Sequence, residues 1–115
     1  MTPAELKNRV LRKLRILGSG QTASAERTAI VTDAYTSVYN RLKRKNLVTW
    51  ALIGNIDDAV SDALITLVAY QACDDFHIPE QRILRLKVLA DEAMTDLIDL
   101  MRPEYVSTHT RVPYF

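Results

Sequence analysis

The sequence predicts an all-α chain: a four-helix bundle-like domain over residues 1–102, followed by an extended C-terminal arm over residues 103–115. Three observations predict it. Apolar residues recur every three or four positions in four separate stretches, the period of a helix that buries one face. Only three Gly and four Pro occur in 115 residues, too few for a turn-rich β fold. Beyond Pro103 the pattern changes, and Val106, Thr108, Thr110 and Val112 alternate as in an extended segment. A chain of this length favours one domain and buries roughly two-thirds of its unfolded surface.

The first helix is expected over residues 3–17. Thr2 suits the N-cap, Pro3 the first helical position, and Glu5 stands at capping-box spacing from Thr2. Leu6, Val10, Leu14 and Leu17 share a face, and Gly18 and Gly20 are expected to stop the helix. The second helix is expected over residues 24–45, burying Ile30, Val31, Ala34, Tyr35, Val38 and Leu42, with Tyr39 on a flank. Arg41, Lys43, Arg44 and Lys45 close it, where cations oppose the negative end of the dipole, and Asn46 suits the position just after it.

Residues 47–56 read as an irregular apolar connector around Trp50. Asn55 is the expected cap of the third helix, with Asp57 and Asp58 in its first turn. This helix, to about Phe76, is apolar on most faces (Ala59, Val60, Ala63, Leu64, Leu67, Val68, Ala72), which predicts a central, buried position. Pro79 opens the fourth helix. Its inner face is expected to hold Ile83, Leu86, Ala90, Ala93, Leu97 and Leu100, with Glu92, Asp96 and Asp99 on an acidic face and Pro103 ending it.

Composition narrows the chemistry. A single cysteine, Cys73, cannot form an internal disulfide or a cysteine-built zinc site, and it fits a reducing compartment. Residues 1–5 show no charged stretch leading into an apolar one, so no secretory leader is expected. The longest apolar stretch, residues 63–70, is far too short to span a bilayer. The densest polar cluster is Cys73, Asp74, Asp75 and His77. It reads as a helix end, because a nucleophile or metal site needs further convergent groups, and His109 completes no motif with it. Neither catalysis, nor a metal, nor a cofactor is expected. The dipole disfavours acids at a helix C-terminus, so a basic partner is expected for Asp74 and Asp75, from Arg82 or the first helix. Gly18 and Gly20 follow a helix and not a strand, which lacks the context of a phosphate loop.

The net charge of +1 conceals a division. Residues 1–50 carry ten Lys/Arg against three acids, +7, and residues 51–115 carry five against eleven, −6. Either the halves pair within one chain, or the asymmetry serves nucleic-acid contact or self-association. The first two helices superficially resemble a helix-turn-helix, but their separation is long and Glu26 stands where phosphate contacts would begin. A small helical DNA-binding regulator is therefore the alternative reading. The arm, rich in aromatic and β-branched residues unlike a disordered tail, suits strand addition or docking along a partner's groove.

The order of these segments resembles the head–tail connector, or adaptor, proteins of tailed bacteriophages. The likeness covers most of the chain: the opening helix of residues 5–18, a polar loop into the long helix of residues 25–46, the apolar connector, the apolar helix of residues 57–73, a last long helix and an extended tail. The chain is shorter than some members and lacks a long insertion between the second and third helices. The resemblance implies a structural virion protein, made in the bacterial host cytoplasm and located at the head–tail interface. It would form a ring, typically of twelve subunits, below the portal after DNA packaging; the free chain could be a monomer. Tyr105, Val106, Thr108, Arg111, Val112, Tyr114 and Phe115 would form the portal-docking arm. Lys7, Arg12, Lys13, Arg41, Lys43, Arg44 and Lys45 would meet Glu92, Asp96 and Asp99 of neighbours, or line the channel in non-specific contact with packaged DNA. The implied partners are the portal, a tail or stopper protein and other copies of the chain, with no membrane.

Overall fold

Four helices form where apolar periodicity and capping residues place them. The computed structural model describes residues 1–16 and 24–101. It contains α1 (Pro3–Lys13), α2 (Ala25–Arg44), α3 (Asp58–Ala72) and α4 (Glu80–Met101), with a 3₁₀ turn at Cys73–Phe76 between the last two. The fold is all-α and four-helix bundle-like, as expected. Both glycines assigned to stopping the first helix, and the whole arm, lie outside the described residues.

Short polar side chains start the helices. Thr2 Oγ1 accepts from the Glu5 amide at 3.2 Å, and Pro3 follows Thr2. Ser24 Oγ accepts from the Arg27 amide at 3.2 Å. At α3 the cap is Asp57, whose Oδ1 accepts from the Ala59 amide at 3.0 Å. Asn55 does not cap; Asp57 is equally suited chemically and stands next to the first helical residue.

Three chain reversals end on one backbone device, each with a non-glycine residue in the left-handed region: Arg15 (φ 61), Asn46 (φ 59) and His77 (φ 53). The Arg15 amide donates to Arg12 O at 2.9 Å and the Ile16 amide to Leu11 O at 3.0 Å. Asn46 and Leu47 donate likewise to Lys43 and Leu42, both at 3.0 Å, and His77 and Ile78 to Asp74 and Cys73, both at 3.4 Å. These paired bonds are the Schellman arrangement, and an apolar residue follows each left-handed one. Asn46 thus takes its expected place. The first helix ends at Lys13, short of Leu17, because the chain already reverses at Arg15.

Helix α3 is the centre of the domain. It packs against α1, α2 and α4, and residues 64–69 are buried without interruption. Its buried hydroxyls are satisfied within the helix: Ser61 Oγ donates to Asp58 O and Thr66 Oγ1 to Asp62 O. Ala59, expected inside, is exposed because it lies in the first turn. From α2, Val31, Ala34, Tyr35, Val38, Tyr39 and Leu42 enter the core, while Ile30 is half-buried. The connector supplies Trp50, 8% exposed. Trp50 Nε1 donates to Tyr35 Oη at 3.1 Å, and Tyr39 Oη donates to Trp50 O at 2.7 Å. Tyr39 is therefore a core residue and not a flank residue. Edge-on ring contacts, with centroids 6.1 Å apart for Tyr35–Tyr39 and 6.3 Å for Tyr39–Trp50, join the three.

Helix α4 returns along α3 and buries Leu86, Ala90, Ala93 and Leu97. Leu100, expected on this face, is 51% exposed. The reason is length: α4 has 22 residues against 15 in α3, so at 1.5 Å per residue it overhangs by about 10 Å. The chain start is held beside α3. Met1 and Ile56 exchange backbone hydrogen bonds of 2.7 and 2.9 Å, so α1 and α3 begin at the same end of the domain.

Candidate functional site

The polar cluster at the end of α3 is a chain reversal in the structure. Cys73 is buried, and its thiol donates to Tyr70 O at 3.0 Å. Burial pushes that thiol above its ordinary value, and the neighbouring Asp74 charge pushes the same way; a thiol held protonated is a poor nucleophile. Asp74, Asp75 and His77 are exposed. Among the described residues, no group of three His, Cys, Asp or Glu side chains gathers to hold a metal ion.

The base expected to face Asp74 and Asp75 is not there. Among the described residues the ion pair formed is that of the Met1 amine with Asp58, at 3.4 Å. Solvent exposure explains how unpaired acids are tolerated at this end, because water and salt weaken the dipole's effect. The residue nearest to the expected role is Arg27, which lines a cleft with Asp75 and His77 and donates from Nη1 to Ile16 O at 3.4 Å.

Arg82 instead joins other cations. Lys13 and Arg15, at the end of α1, and Arg82 and Arg85, in the first turns of α4, line one cleft of about 350 Å³ over Leu86 and Leu89. Each half of the chain contributes two cations to it. No described carboxylate forms an ion pair with any of the four. The first pair suits the C-terminal end of α1, whereas the second opposes the positive end of α4. The cleft therefore concentrates positive potential between low-dielectric walls, a setting that attracts anionic groups.

The other expected basic residues are elsewhere. Lys7 is half-buried and Arg12 exposed on α1. Arg41 Nη2 donates to Gln71 Oε1 at 2.7 Å, Lys43 and Arg44 line a shallow groove with Ser37 and Asn40, and Lys45 follows the end of α2. Of the expected basic set, Lys13 alone reaches the cleft. Glu92, Asp96 and Asp99 are exposed on α4 as expected, and Asp91, Glu92, Thr95 and Asp96 line a groove of their own. Arg82 and Arg85 were not among the basic residues expected at an interface; Arg82 was expected beside Asp74 and Asp75 instead. The signal available for them was the change of sign along α4, from Arg82, Arg85 and Lys87 to Asp91, Glu92, Asp96 and Asp99.

The arm residues Tyr105, Val106, Thr108, Arg111, Val112, Tyr114 and Phe115 lie outside the described residues. No described helix is long and apolar enough to cross a membrane. Compared with known proteins, the chain matches no family model, no curated protein and no solved structure.

Proposed function

We propose that this chain is a structural assembly protein, a head–tail adaptor of a tailed bacteriophage that forms a ring on the portal and connects capsid to tail. The observation that supports it best is that, among the described residues, the side chains of the two oppositely charged halves form no ion pair with each other. The basic first half meets the second at a cleft that is basic on both sides, while the acids stand exposed on α4. Separate positive and negative patches on one subunit suit the heterologous contacts from which rings are built, and opposed charges set register between neighbours. The order of helices and the aromatic arm at residues 103–115 add the resemblance to adaptors. In this reading Tyr105, Tyr114 and Phe115 anchor the arm in the portal, since buried aromatics carry much of an interface's binding energy.

A pull-down on the portal protein compares the full chain with one ending at Arg102. The full chain is retained and the shortened one is lost; equal retention removes the arm from the mechanism.

The four-cation cleft also favours a second reading, a DNA-binding regulator, because phosphate attraction needs only placed charge. That reading requires tight, sequence-selective and salt-dependent binding of a duplex by the isolated chain. Weak, sequence-blind retention in a mobility-shift assay counts against it.

A further inference from the structure

We propose that the basic cleft between α1 and α4 receives the acidic stretch of α4 from a second copy of this chain. This rests on the assembly reading above and names the surfaces that would meet.

The cleft has the form of a docking site. Its floor is apolar, with Leu86 buried and Leu89 half-buried, and its rim holds Lys13, Arg15, Arg82 and Arg85. The complementary surface is Asp91, Glu92, Asp96 and Asp99, all exposed, with no base on α4 after Lys87.

A single α4 cannot bring its own acidic stretch to the cleft beside it. Arg85 and Asp96 are eleven positions apart on a single helix, about 16 Å along a rigid rod. The sign order on α4, positive first and negative last, also opposes the helix dipole at both ends, so the isolated helix gains nothing from it. A second α4 changes this. Arg82 and Arg85 are one turn apart, as are Asp96 and Asp99, and such pairs step by about 5–6 Å. A second acidic stretch laid along the cleft offers one carboxylate to each guanidinium, in the planar geometry that arginine favours.

The same observations disfavour a nucleic acid here. A phosphate backbone running along α4 from the cleft meets Asp91 and Glu92 within two turns of Arg85, and like charges repel it. Leucines on the floor suit a protein face better than phosphate.

The test measures the mass of the full chain by analytical ultracentrifugation across concentration, in low and high salt. Two paired variants are compared with the native chain: Arg82→Glu with Arg85→Glu, and Asp96→Arg with Asp99→Arg. All four positions are exposed or half-exposed, and circular dichroism checks that the helices persist. The native chain associates, and salt weakens it. Each variant alone associates at least about tenfold more weakly, as expected on reversing close charge pairs. An equimolar mixture of the two recovers association, because each reversed surface now meets its opposite. A native chain that stays single at every concentration overturns the proposal, as do variants that associate like the native chain or a mixture that recovers nothing. Loss of duplex retention in the cleft variant, with mass unchanged, overturns it in favour of a polyanion site. The portal pull-down on the same variants separates the two ideas. Portal binding with unaltered self-association in the variants sinks this interface alone, and lost portal binding by a self-associating native chain sinks the adaptor reading alone.

Discussion

Trp50 stands in an irregular connector yet is buried in the core, where two tyrosines of α2 take its polar groups. Its indole N–H donates to Tyr35 Oη, and its carbonyl accepts from Tyr39 Oη. Removing the Tyr35 hydroxyl leaves a buried donor unmatched, which costs about 1–3 kcal/mol. Tyr35→Phe should lower stability by that amount in urea unfolding, with Trp50 fluorescence as the probe. The same hydroxyl predicts a pH dependence. Burial raises the Tyr35 phenol above its ordinary 10.0, and Tyr39 adds to the rise, against a smaller opposing effect of the Trp50 hydrogen bond. Below pH 10 both folded and unfolded chains keep this proton, so its contribution is complete there. Above it the unfolded chain ionises first, and stability falls until the folded value is passed. Tyr35→Phe should make the decline above pH 10 shallower; an unchanged slope would assign it to other groups. Cys73 follows related logic. Its buried, raised thiol should react with iodoacetamide far more slowly in the native chain than in denaturant, because the thiolate is the reacting form.

At the scale of elements, local chemistry decided the helix starts more plainly than the ends. Thr2, Ser24 and Asp57 all cap through side-chain oxygens; Thr2 was legible as a cap from residue type and spacing, whereas Ser24 was read as the first helical residue. The third was ambiguous because Asn55 and Asp57 are both good caps two positions apart. The end of α1 was not legible, since Leu14 and Leu17 continue the apolar period while the reversing residue, Arg15, carries no glycine signal. That choice of residues has a consequence. A side chain in the left-handed region costs of order 1 kcal/mol, less for Asn than for other residues, and glycine avoids this at some entropic cost. His77 is exposed with φ 53. His77→Gly should therefore stabilise the chain by about 0.5–1 kcal/mol, and Asn46→Gly by less. Thermal unfolding of the two variants checks the order, and a destabilised His77→Gly would mean that the imidazole makes a contact of its own.

For the whole molecule, the arrangement of charge and the arrangement of core were legible to different degrees. That α3 would be central followed from its apolar faces. The cleft did not follow, because Lys13 and Arg82 are far apart in the chain and meet only once α1 and α4 have both packed on α3. The site therefore depends on the core beneath it. Helix α3 packs against each other helix, and Leu64, fully buried, lies at the start of its unbroken buried run. Leu64→Ala removes packing at the meeting point of the elements and should cost about 2–5 kcal/mol. Because the connector, through Trp50, and the helices share one cluster, the loss should appear as one transition. Helical circular dichroism and Trp50 fluorescence should shift to the same lower denaturant midpoint, as two-state behaviour requires. Separated midpoints would mean that the helices survive loss of the Trp50 cluster, and the cleft could then persist in a partly unfolded chain. Coincident midpoints tie the charged surfaces to the integrity of α3. In that case Leu64→Ala should abolish self-association through unfolding alone, near its own midpoint, while the charge-reversed variants lose it with their helices intact.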